Sequence, residues 1–435
     1  MFTPSAVFRY VGQFARNRMP GQVVIQITNR CNALCPQCGM RRGADIHRSD
    51  LPDEEIRRTL DACAAQGVQA VSFTGGEPLL MLDRLIGWIN HAGRAGIPFI
   101  RTGTNGFLLR GAEHPGFEDR IKGLAERLAA TPLRNFWISI DSCVPQVHEQ
   151  MRGLKGVVAG IEKALPIFHA AGLYPSANLG VNRMVGGKAT TGLHPDGFKF
   201  KTRTAYLQAF LRAYTVSLDR FFRLVGDLGF TTVNTCYPMS IDESERQAGL
   251  NAVYAATTTE RVVRFAADEK AMLYKALLDT IPNHRRRLRI FSPLSAIYML
   301  HRAYTDEGKA DLSHGCRGGV DFFFIDAVKG NVFPCGYRGN ENMGKFWDLR
   351  LKSLRPDNRC RRCDWECFRD PSELCAPFLQ VLFAPATLAR KMTGNPVFRR
   401  LWLEDLRYYR LCDFFDGRRP PALEKPGRMS MRRPS

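Results

Sequence analysis

Between residues 23 and 236 the chain alternates short apolar strands with longer amphipathic helices, and this alternation restricts the fold more than any other feature. The six predicted strands cover residues 23–27, 70–73, 98–102, 136–140, 177–181 and 231–236. The helices between them are predicted near residues 53–66, 82–95, 117–129, 156–170 and 204–228. Alternating strands and helices build a parallel sheet through right-handed crossovers. The sequence therefore predicts an α/β fold, a partial (β/α)6 TIM-like barrel whose chemistry lies at the carboxyl ends of its strands.

The rest of the 435-residue chain differs in composition from this region and divides into further units. At roughly 150 residues per domain, the length suggests two or three domains. We predict a basic amphipathic N-terminal segment (residues 1–20), the barrel (21–240) and a helical connector (241–310). A Cys-rich loop-like region (311–376), a basic helical tail (377–417) and a disordered end (418–435) follow.

The charge and the cysteines restrict the partners and the surroundings of the protein. Lysine and arginine number 62 against 42 acidic residues, so the net charge of +20 favours anionic partners. No nucleic-acid-binding motif accompanies this charge, which argues against nucleic acid. No segment approaches the roughly 20 apolar residues of a membrane span, and the N-terminus lacks the pattern of a secretory signal. We therefore expect a cytoplasmic protein whose 13 cysteines are thiols and whose clustered thiols hold metal.

Three of these thiols follow the first predicted strand in the segment Cys31-x3-Cys35-x2-Cys38. Three thiolates from one tight loop can bind three irons of a [4Fe–4S] cube, which leaves the fourth iron free for another ligand. A zinc knuckle is the alternative, but a structural zinc site takes four protein ligands, and no further Cys or His follows nearby except His47. The spacing favours an iron–sulfur cluster.

A second motif, Thr74-Gly75-Gly76-Glu77-Pro78, follows the second predicted strand, and its carboxylate can receive an ammonium group. Together, the CxxxCxxC and GGEP motifs closely resemble the radical S-adenosylmethionine (SAM) superfamily, and the resemblance extends over residues 22–237. It implies that SAM binds the free iron through its amino and carboxylate groups. It also implies that an electron from the cluster cleaves SAM to methionine and a 5′-deoxyadenosyl radical, which takes a hydrogen atom from the substrate.

The resemblance also implies which residues hold the cofactors. The three cysteines correspond to cluster ligands. The predicted SAM contacts are Gly75, Gly76, Glu77, Pro78, Asn105, Ser139, Asp141, Asn178 and Arg183. A polar residue at a strand end, such as Ser139 or Asn178, can instead cap the next helix. The chain departs from the family pattern at Gln37, where an aromatic residue usually precedes the third cysteine; this departure concerns the usual contact around adenine rather than the cluster.

A second group of cysteines lies in the Cys-rich region, where a β-hairpin is predicted around a turn at Gly330. Its pattern resembles the SPASM/Twitch extension of radical SAM enzymes, with a better match to Twitch, and implies an auxiliary [4Fe–4S] cluster. The four implied ligands are Cys316, Cys335, Cys360 and Cys363. Cys367 and Cys375 are candidate ligands of a second auxiliary cluster. Zinc is the alternative occupant of this group.

These features predict an enzyme that abstracts a hydrogen atom from a peptide or small-metabolite substrate, with the auxiliary cluster in electron transfer and a reductant such as flavodoxin or ferredoxin as partner. Cys143 and Cys236 either lie near the substrate or are structural. The tail from Arg390 to Arg433 holds twelve basic residues among aromatic ones, which suits peripheral contact with an anionic inner membrane surface or packing on the barrel. A lipid-linked substrate at the membrane and a non-catalytic iron–sulfur scaffold are the alternative functions.

Overall fold

The computed structural model describes residues 12–42, 48–193, 200–305, 315–355, 360, 363–422 and 424–427. Nine strands in this part of the chain form one sheet. They are β1 (Gln22–Thr28), β2 (Ala70–Gly75), β3 (Phe99–Thr104), β4 (Leu133–Ser139), β5 (Ser176–Gly180), β6 (Thr232–Cys236), β7 (Arg289–Ile290), β8 (Phe322–Ile325) and β9 (Val332–Phe333). The strand order in the sheet is β7-β6-β5-β4-β3-β2-β1-β8-β9.

All neighbouring strands from β7 to β8 pair in parallel, and β9 pairs antiparallel with β8. Strands β1 to β6 lie in chain order, because each crossover helix returns the chain to the adjacent position in the sheet. The edge strands β7 and β9 do not pair with each other in the described chain, so the barrel is open. The α/β partial barrel predicted from the sequence is confirmed.

The helices cover the outer face of the sheet and continue beyond it. The longer ones are α1 (Asp53–Ala65), α2 (Leu82–Arg94), α3 (Phe117–Ala129), α4 (Pro145–Arg152), α5 (Val157–Ala170), α6 (Arg203–Asp227), α7 (Ala267–His284), α8 (Leu294–Thr305), α9 (Glu366–Phe383), α10 (Pro385–Gly394) and α11 (Pro396–Leu411). The five predicted barrel helices agree with α1, α2, α3, α5 and α6 to within one residue at each end, because their apolar residues recur at helical spacing. No described helix combines the length and the apolar character that crossing a bilayer requires.

The Cys-rich region joins the barrel sheet instead of standing apart from it. Strands β8 and β9 form the predicted hairpin, but β8 also pairs in parallel with β1. All four residues of β8 are buried, since the strand has neighbours on both faces. Residues 366–376, which the sequence predicts as loop, are the first part of helix α9.

Part of the predicted helical connector is irregular. Between the short helix Glu243–Gln247 and α7, the chain pairs with a distant loop: the Asn251 N–H donates to the Tyr337 carbonyl oxygen and the Val253 N–H to that of Gly336, both at 2.9 Å. These long-range hydrogen bonds decide the local conformation, so the periodicity of the segment alone does not indicate it.

The two faces of the barrel sheet differ in polarity. Residues on the outer face pack on the helices and are buried and apolar, as in Val23, Ile25, Val71, Phe73, Ile138 and Leu179. Residues at the alternate positions line the interior and include Gln22, Ser72, Arg101, Ser139, Asn178 and Asn234. The interior of a closed barrel is normally filled by branched apolar side chains. The polar inner face therefore indicates a cavity rather than a second core.

The helical tail covers the β7 edge of the sheet. Tyr408 in α11 accepts a hydrogen bond from the Ile290 N–H of β7 at 2.9 Å, and the buried Asp405 binds the Arg285 guanidinium at 2.7 Å. Covering an edge in this way hides unpaired backbone groups from other chains. The structure thus shows the tail packed on the barrel. The predictions for residues 1–11 and 428–435 lie outside the described residues.

Candidate active site

A large cavity opens at the carboxyl ends of the barrel strands. The volume of the cavity is about 200 Å³, and the cavity is open to solvent on one side. Strands β1 to β6 each contribute lining residues, and Tyr254 and the start of α9 form the far wall. The cavity therefore lies at the end of the barrel where the sequence predicts the chemistry.

The loop that follows β1 forms one wall of this cavity, and Cys31, Cys35 and Cys38 all line it. The Leu34 N–H in the middle of the loop donates to the carbonyl oxygen of Arg152 at the end of α4, at 2.8 Å. The structure thus brings the three predicted cluster ligands together on one wall, which we call the cysteine wall.

The GGEP turn after β2 presses against this wall, and the contact explains its glycines. A Cβ atom on Gly76 would lie 1.9 Å from the Arg30 carbonyl oxygen and 3.0 Å from the Cβ of Cys31. A Cβ atom on Gly75 would lie 2.5 Å from the Thr28 carbonyl oxygen. Any larger residue at Gly76 would push the cysteine loop away from the turn.

Glu77 is fully buried next to Pro78, which opens a short 3-10 turn. Its Oε1 accepts a hydrogen bond from the Leu79 N–H at 3.0 Å and its Oε2 one from the Asn105 N–H at 2.6 Å. Burial raises the pKa of Glu77 to about 7, although these hydrogen bonds oppose the shift. The Asn105 side chain reaches back to the cysteine loop and donates to Asn32 Oδ1 at 2.8 Å. A cationic group in the cavity would stabilise the charged carboxylate, as the predicted ammonium contact requires.

A buried ion pair lies behind the cysteine wall. The Arg152 guanidinium binds Asp141 Oδ2 at 2.8 Å, and Gln37 donates to the same oxygen at 2.8 Å. The residue that departs from the family pattern, Gln37, therefore helps to hold this carboxylate. Burial raises the pKa of the Cys35 thiol to about 12, and the Arg152 charge opposes the shift. Metal binding deprotonates a thiol outright, so three sulfurs beside a fixed cation fit an anionic iron–sulfur cluster.

His148 supports the same carboxylate and has no exposed surface. Its Nδ1 accepts a hydrogen bond from the Asp141 N–H at 3.1 Å, which leaves the proton of the neutral ring on Nε2. Burial, together with the charge of Arg152, lowers the pKa of His148 to about 4. The imidazole is therefore neutral at pH 7 and acts as a structural acceptor.

Ser139 at the end of β4 and Asn178 in the middle of β5 both line the cavity, where contact with SAM stays a prediction. Asn178 Oδ1 accepts a hydrogen bond from the Asn234 side chain at 2.9 Å and lies 3.4 Å from the Cys236 sulfur. The helices that follow these strands have N-cap residues at Val144 and Gly187. The alternative role as helix caps is therefore wrong for Ser139 and Asn178.

Arg183 lies outside the cavity, and this corrects its predicted contact with SAM. Its guanidinium pairs with the buried Glu269 at 2.6 Å. It also donates to the carbonyl oxygens of Leu193, at 2.8 Å, and Arg264, at 2.7 Å. With its N–H groups occupied in this way, Arg183 braces the loop after β5.

The second cysteine group forms an enclosed site. The Cys360 thiol hydrogen-bonds with Cys316 and Cys363, and the contact with Cys316 is the main cause that raises the pKa of Cys360 to about 12. Cys335 interacts electrostatically with Cys363 and Cys360, and the whole group lies in an apolar cluster with aromatic residues such as Trp365. The structure thus brings the four predicted auxiliary ligands together.

Among the described residues, no group of three Cys, His, Asp or Glu side chains is placed to hold a single metal ion. A structural zinc ion needs four ligands at about 2.3 Å from a single point, and the irons of a cube each bind a separate thiolate. The four thiols of the second group match the ligand number of either occupant, and metal analysis distinguishes them.

Cys367 and Cys375 lie apart from each other. Both belong to α9, and the eight residues from 367 to 375 correspond to about 12 Å along the helix axis. Cys367 lines the large cavity, where its sulfur lies 3.4 Å from Glu366 Oε1. Cys375 lies near Asp321, and burial together with the Asp321 charge raises the pKa of its thiol. The structure separates the two candidate ligands of a second auxiliary cluster.

Several further residues line the cavity without a counterpart among the predicted contacts, and they include Arg101, Trp137, Tyr254, Trp365 and Glu366. The sequence itself indicates Arg101, because alternation in the third predicted strand places it on the face opposite Ile100. The last three come from segments that meet the barrel only through long-range contacts, and no local pattern indicates them.

The chain is similar to several known proteins. Residues 25–192 match the family model of the Radical SAM superfamily. An AdoMet-dependent heme synthase of Methanosarcina barkeri (strain Fusaro / DSM 804) is 23% identical over 331 residues, which cover 74% of this chain and 78% of that protein. A GTP 3′,8-cyclase of Vibrio cholerae serotype O1 (strain ATCC 39541 / Classical Ogawa 395 / O395) is 35% identical over 151 residues, or 33% of this chain and 41% of that protein. The structure of Streptococcus suis SuiB bound to S-adenosylmethionine is 14% identical, with a TM-score of 0.49 over 82% of this chain and 71% of SuiB.

Proposed function

We propose that the chain, whose residues 25–192 match the Radical SAM superfamily, is an enzyme that abstracts a hydrogen atom from a peptide or small metabolite held inside the barrel. The observation that carries the proposal is that the cysteine wall, the GGEP turn and a polar barrel interior face one cavity. When bound, the reduced cluster and SAM supply a carbon-centred radical at this place.

Different residues of the chain would bind the cluster and SAM and orient them. Cys31, Cys35 and Cys38 would hold the cluster, and Glu77 would receive the ammonium group of SAM. Asp141 keeps Arg152 beside the sulfurs, so that positive charge balances the anionic cluster. Ser139 and Asn178 would offer a hydroxyl and an amide to the cofactor, and aromatic residues form the far wall of the cavity.

The enclosed cysteine group would hold an auxiliary [4Fe–4S] cluster, which supplies a relay for electrons between the cavity and a reductant such as flavodoxin or ferredoxin. Trp365 lies between the two places: it lines the cavity and stacks on Tyr337 with ring centroids 5.6 Å apart. The Tyr337 N–H in turn donates to the Cys335 sulfur at 3.3 Å. Four ligands complete a cube, which favours electron transfer over direct substrate binding at this cluster.

The test is anaerobic reconstitution with iron and sulfide counted per chain, followed by an assay for 5′-deoxyadenosine after reduction with dithionite. We expect about eight irons in the wild type. Replacing Cys31, Cys35 and Cys38 by Ala should leave about four and abolish cleavage, and replacing the four auxiliary cysteines should also leave about four. The control Cys63→Ala, in α1 and away from both groups, should keep all eight. Zinc in the second group, or no cleavage despite a full first cluster, would contradict the proposal.

A second candidate, a substrate modified at the membrane surface, is supported by an exposed apolar surface on the tail. At the end of α9, Val381, Leu382 and Phe383 are 58%, 55% and 51% exposed. Phe378 in the same helix contacts Trp402 of α11, with ring centroids 5.5 Å apart. The adjoining sequence is basic, so apolar insertion and charge attraction would act together on an anionic lipid surface.

Sedimentation with vesicles tests this candidate. Wild-type protein should sediment with phosphatidylserine-containing vesicles more than with phosphatidylcholine vesicles, and the variant Leu382→Glu/Phe383→Glu should lose this preference. A matched control is Val216→Glu, which places the same charge on another exposed apolar residue, 51% exposed on α6. Equal sedimentation of wild type and the double variant would contradict a membrane role for this surface.

A further inference from the structure

Arg101 occupies an unusual place in the barrel. It lies on the inner face of β3, four residues before Asn105, which contacts the cysteine loop. Four residues of a strand correspond to roughly 13 Å, so Arg101 lines the inner part of the cavity well below the place of the cluster. Its guanidinium lies 5.6 Å from the ring centroid of Trp137 and 5.5 Å from that of Phe291. These rings hold the side chain in the barrel interior.

No carboxylate of the described residues forms an ion pair with this guanidinium. Its hydrogen bond is from Nε to Asn135 Oδ1, at 3.4 Å, and the side chain lines the cavity. Burial lowers the pKa of Arg101, and the thiols of Cys367 and Cys236 and the carboxyl group of Glu366 offset this only in part. Arginine nevertheless stays protonated in proteins, so the cavity contains a positive charge that no described acidic group binds directly.

Arg101 is half-buried, and two more deeply buried arginines each have an acidic partner. Arg152 binds Asp141 at 2.8 Å, and Arg285 binds Asp405 at 2.7 Å. A buried charge without a partner costs several kcal/mol of folding free energy. A protein can retain such a charge where a bound ligand supplies the opposite charge. The terminal N–H groups of a guanidinium match the two oxygens of a carboxylate.

The surroundings favour a single negative charge over a double one. Asn178 and Asn234, on the neighbouring inner faces, are neutral amides, and Arg101 is the cation among these inner-face residues. Glu366 lies on the opposite wall, where its Oε2 accepts the Tyr237 N–H at 3.3 Å. A phosphate dianion would bring two negative charges to one cation and one nearby acid, whereas a carboxylate brings a single charge that Arg101 alone balances.

We propose that Arg101 binds a carboxylate group of the substrate at the inner end of the cavity, so that the enzyme acts on a carboxylate-bearing small molecule. This inference rests on the proposed function, because it assumes that the bound molecule is a substrate. Anion binding at Arg101 does not depend on it. The carboxylate anchors one end of the molecule near Arg101, and the rest of the molecule extends toward the cysteine wall.

The test is a calorimetric titration of the reconstituted protein with sodium propionate and with its neutral analogue propionamide, at constant ionic strength under anaerobic conditions. We expect saturable propionate binding in the wild type, with a Kd of about 1–10 mM, and no saturable binding of propionamide. The variant Arg101→Met should weaken propionate binding at least tenfold, and Arg101→Lys should weaken it less. Arg94→Met, which removes one exposed positive charge from α2, is the matched control and should bind as the wild type does.

Thermal unfolding separates binding from a structural role. Because Arg101 is unpaired, the ligand-free variant Arg101→Met should unfold at the wild-type temperature or above it. Unchanged propionate binding in Arg101→Met, equal binding of propionamide, or a fall of several degrees in the ligand-free Tm of Arg101→Met would each overturn the proposal. The titration needs no turnover, so absent SAM cleavage would count against the proposed function alone.

Discussion

The two cysteine groups place their thiols in opposite surroundings. The first group lies on an open wall, where three sulfurs face the cavity and are positioned by the GGEP turn and the Asp141–Arg152 ion pair. The second group lies inside an apolar cluster, where Cys335 is 3% and Cys363 is 6% exposed. Three ligands on an open wall leave a coordination position for another molecule, whereas four ligands in a closed shell complete the site, as in catalytic and structural metal sites generally.

This difference also explains how each group is held in place. The open group cannot rely on burial, because one side must stay accessible, so buried polar contacts and a close backbone contact at Gly76 position it. The closed group is held by aromatic packing around Trp365, which stacks on Tyr337 and contacts Phe368 at 4.7 Å between ring centroids. Changes to polar contacts should therefore affect the first group, and changes to apolar packing the second.

The largest effect is expected from Gly76→Ala. The new methyl group would lie 1.9 Å from the Arg30 carbonyl oxygen, so the cysteine loop must move. We expect loss of the first cluster, about four of about eight irons, and loss of SAM binding, while the second group keeps its iron. Iron analysis and equilibrium dialysis with SAM measure both. Gly123→Ala in α3, where a Cβ atom meets nothing within 4 Å, is the control, and iron loss there too would show that the comparison between the groups is wrong.

A smaller loss is expected from Asp141→Asn, which breaks the buried ion pair behind the cysteine wall. An uncompensated buried Arg152 should cost about 3–5 kcal/mol in the free energy of unfolding, as measured by urea denaturation. The control is Asp83→Asn. The Asp83 side chain is 88% exposed and pairs with Arg127, so its replacement should change the free energy of unfolding by less than about 1 kcal/mol. Equal effects of the two substitutions would show that the ion pair does not support the wall.

The free energy of unfolding should depend on pH, because His148 is buried and neutral in the folded protein. Its pKa is lowered to about 4 in the folded protein, against about 6.5 when unfolded. The unfolded state therefore binds more protons between these values, and stability is fully present above pH 6.5 and is lost as the pH falls toward 4. The loss should be on the order of 3 kcal/mol, and His148→Gln should flatten the curve relative to the wild type between pH 6.5 and 4. An unchanged slope in the variant would assign the loss to other groups.

The smallest effect is expected from Cys375→Ala, which sharpens the boundary of the closed group. Cys375 lies away from the four clustered thiols, near Asp321. We expect an unchanged iron content and a loss of about 1 kcal/mol from the removed sulfur. Loss of further iron in this variant would restore the second auxiliary cluster predicted from the sequence.

Local patterns are sufficient for the barrel and for the first site, and they are insufficient where distant segments meet. The strand and helix periods locate the barrel helices to within one residue, and the motifs place Gly75, Gly76 and Glu77 beside the three cysteines. The strand-end rule places Ser139 and Asn178 on the cavity but fails to do so for Arg183, whose side chain has a buried carboxylate partner 86 residues away in Glu269. No spacing in the sequence reveals such a partner.

The sequence by itself determined the parallel α/β barrel, the three-cysteine loop with its GGEP turn, and the two groups of thiols, because each depends on residues close together in the chain. Only the tertiary structure decided that β8 extends the sheet beside β1, that Cys367 faces the cavity while Cys375 does not, and that Arg101 remains without an acidic partner. These outcomes depend on which distant groups pack together, and packing free energy is settled by the whole fold rather than by any local pattern.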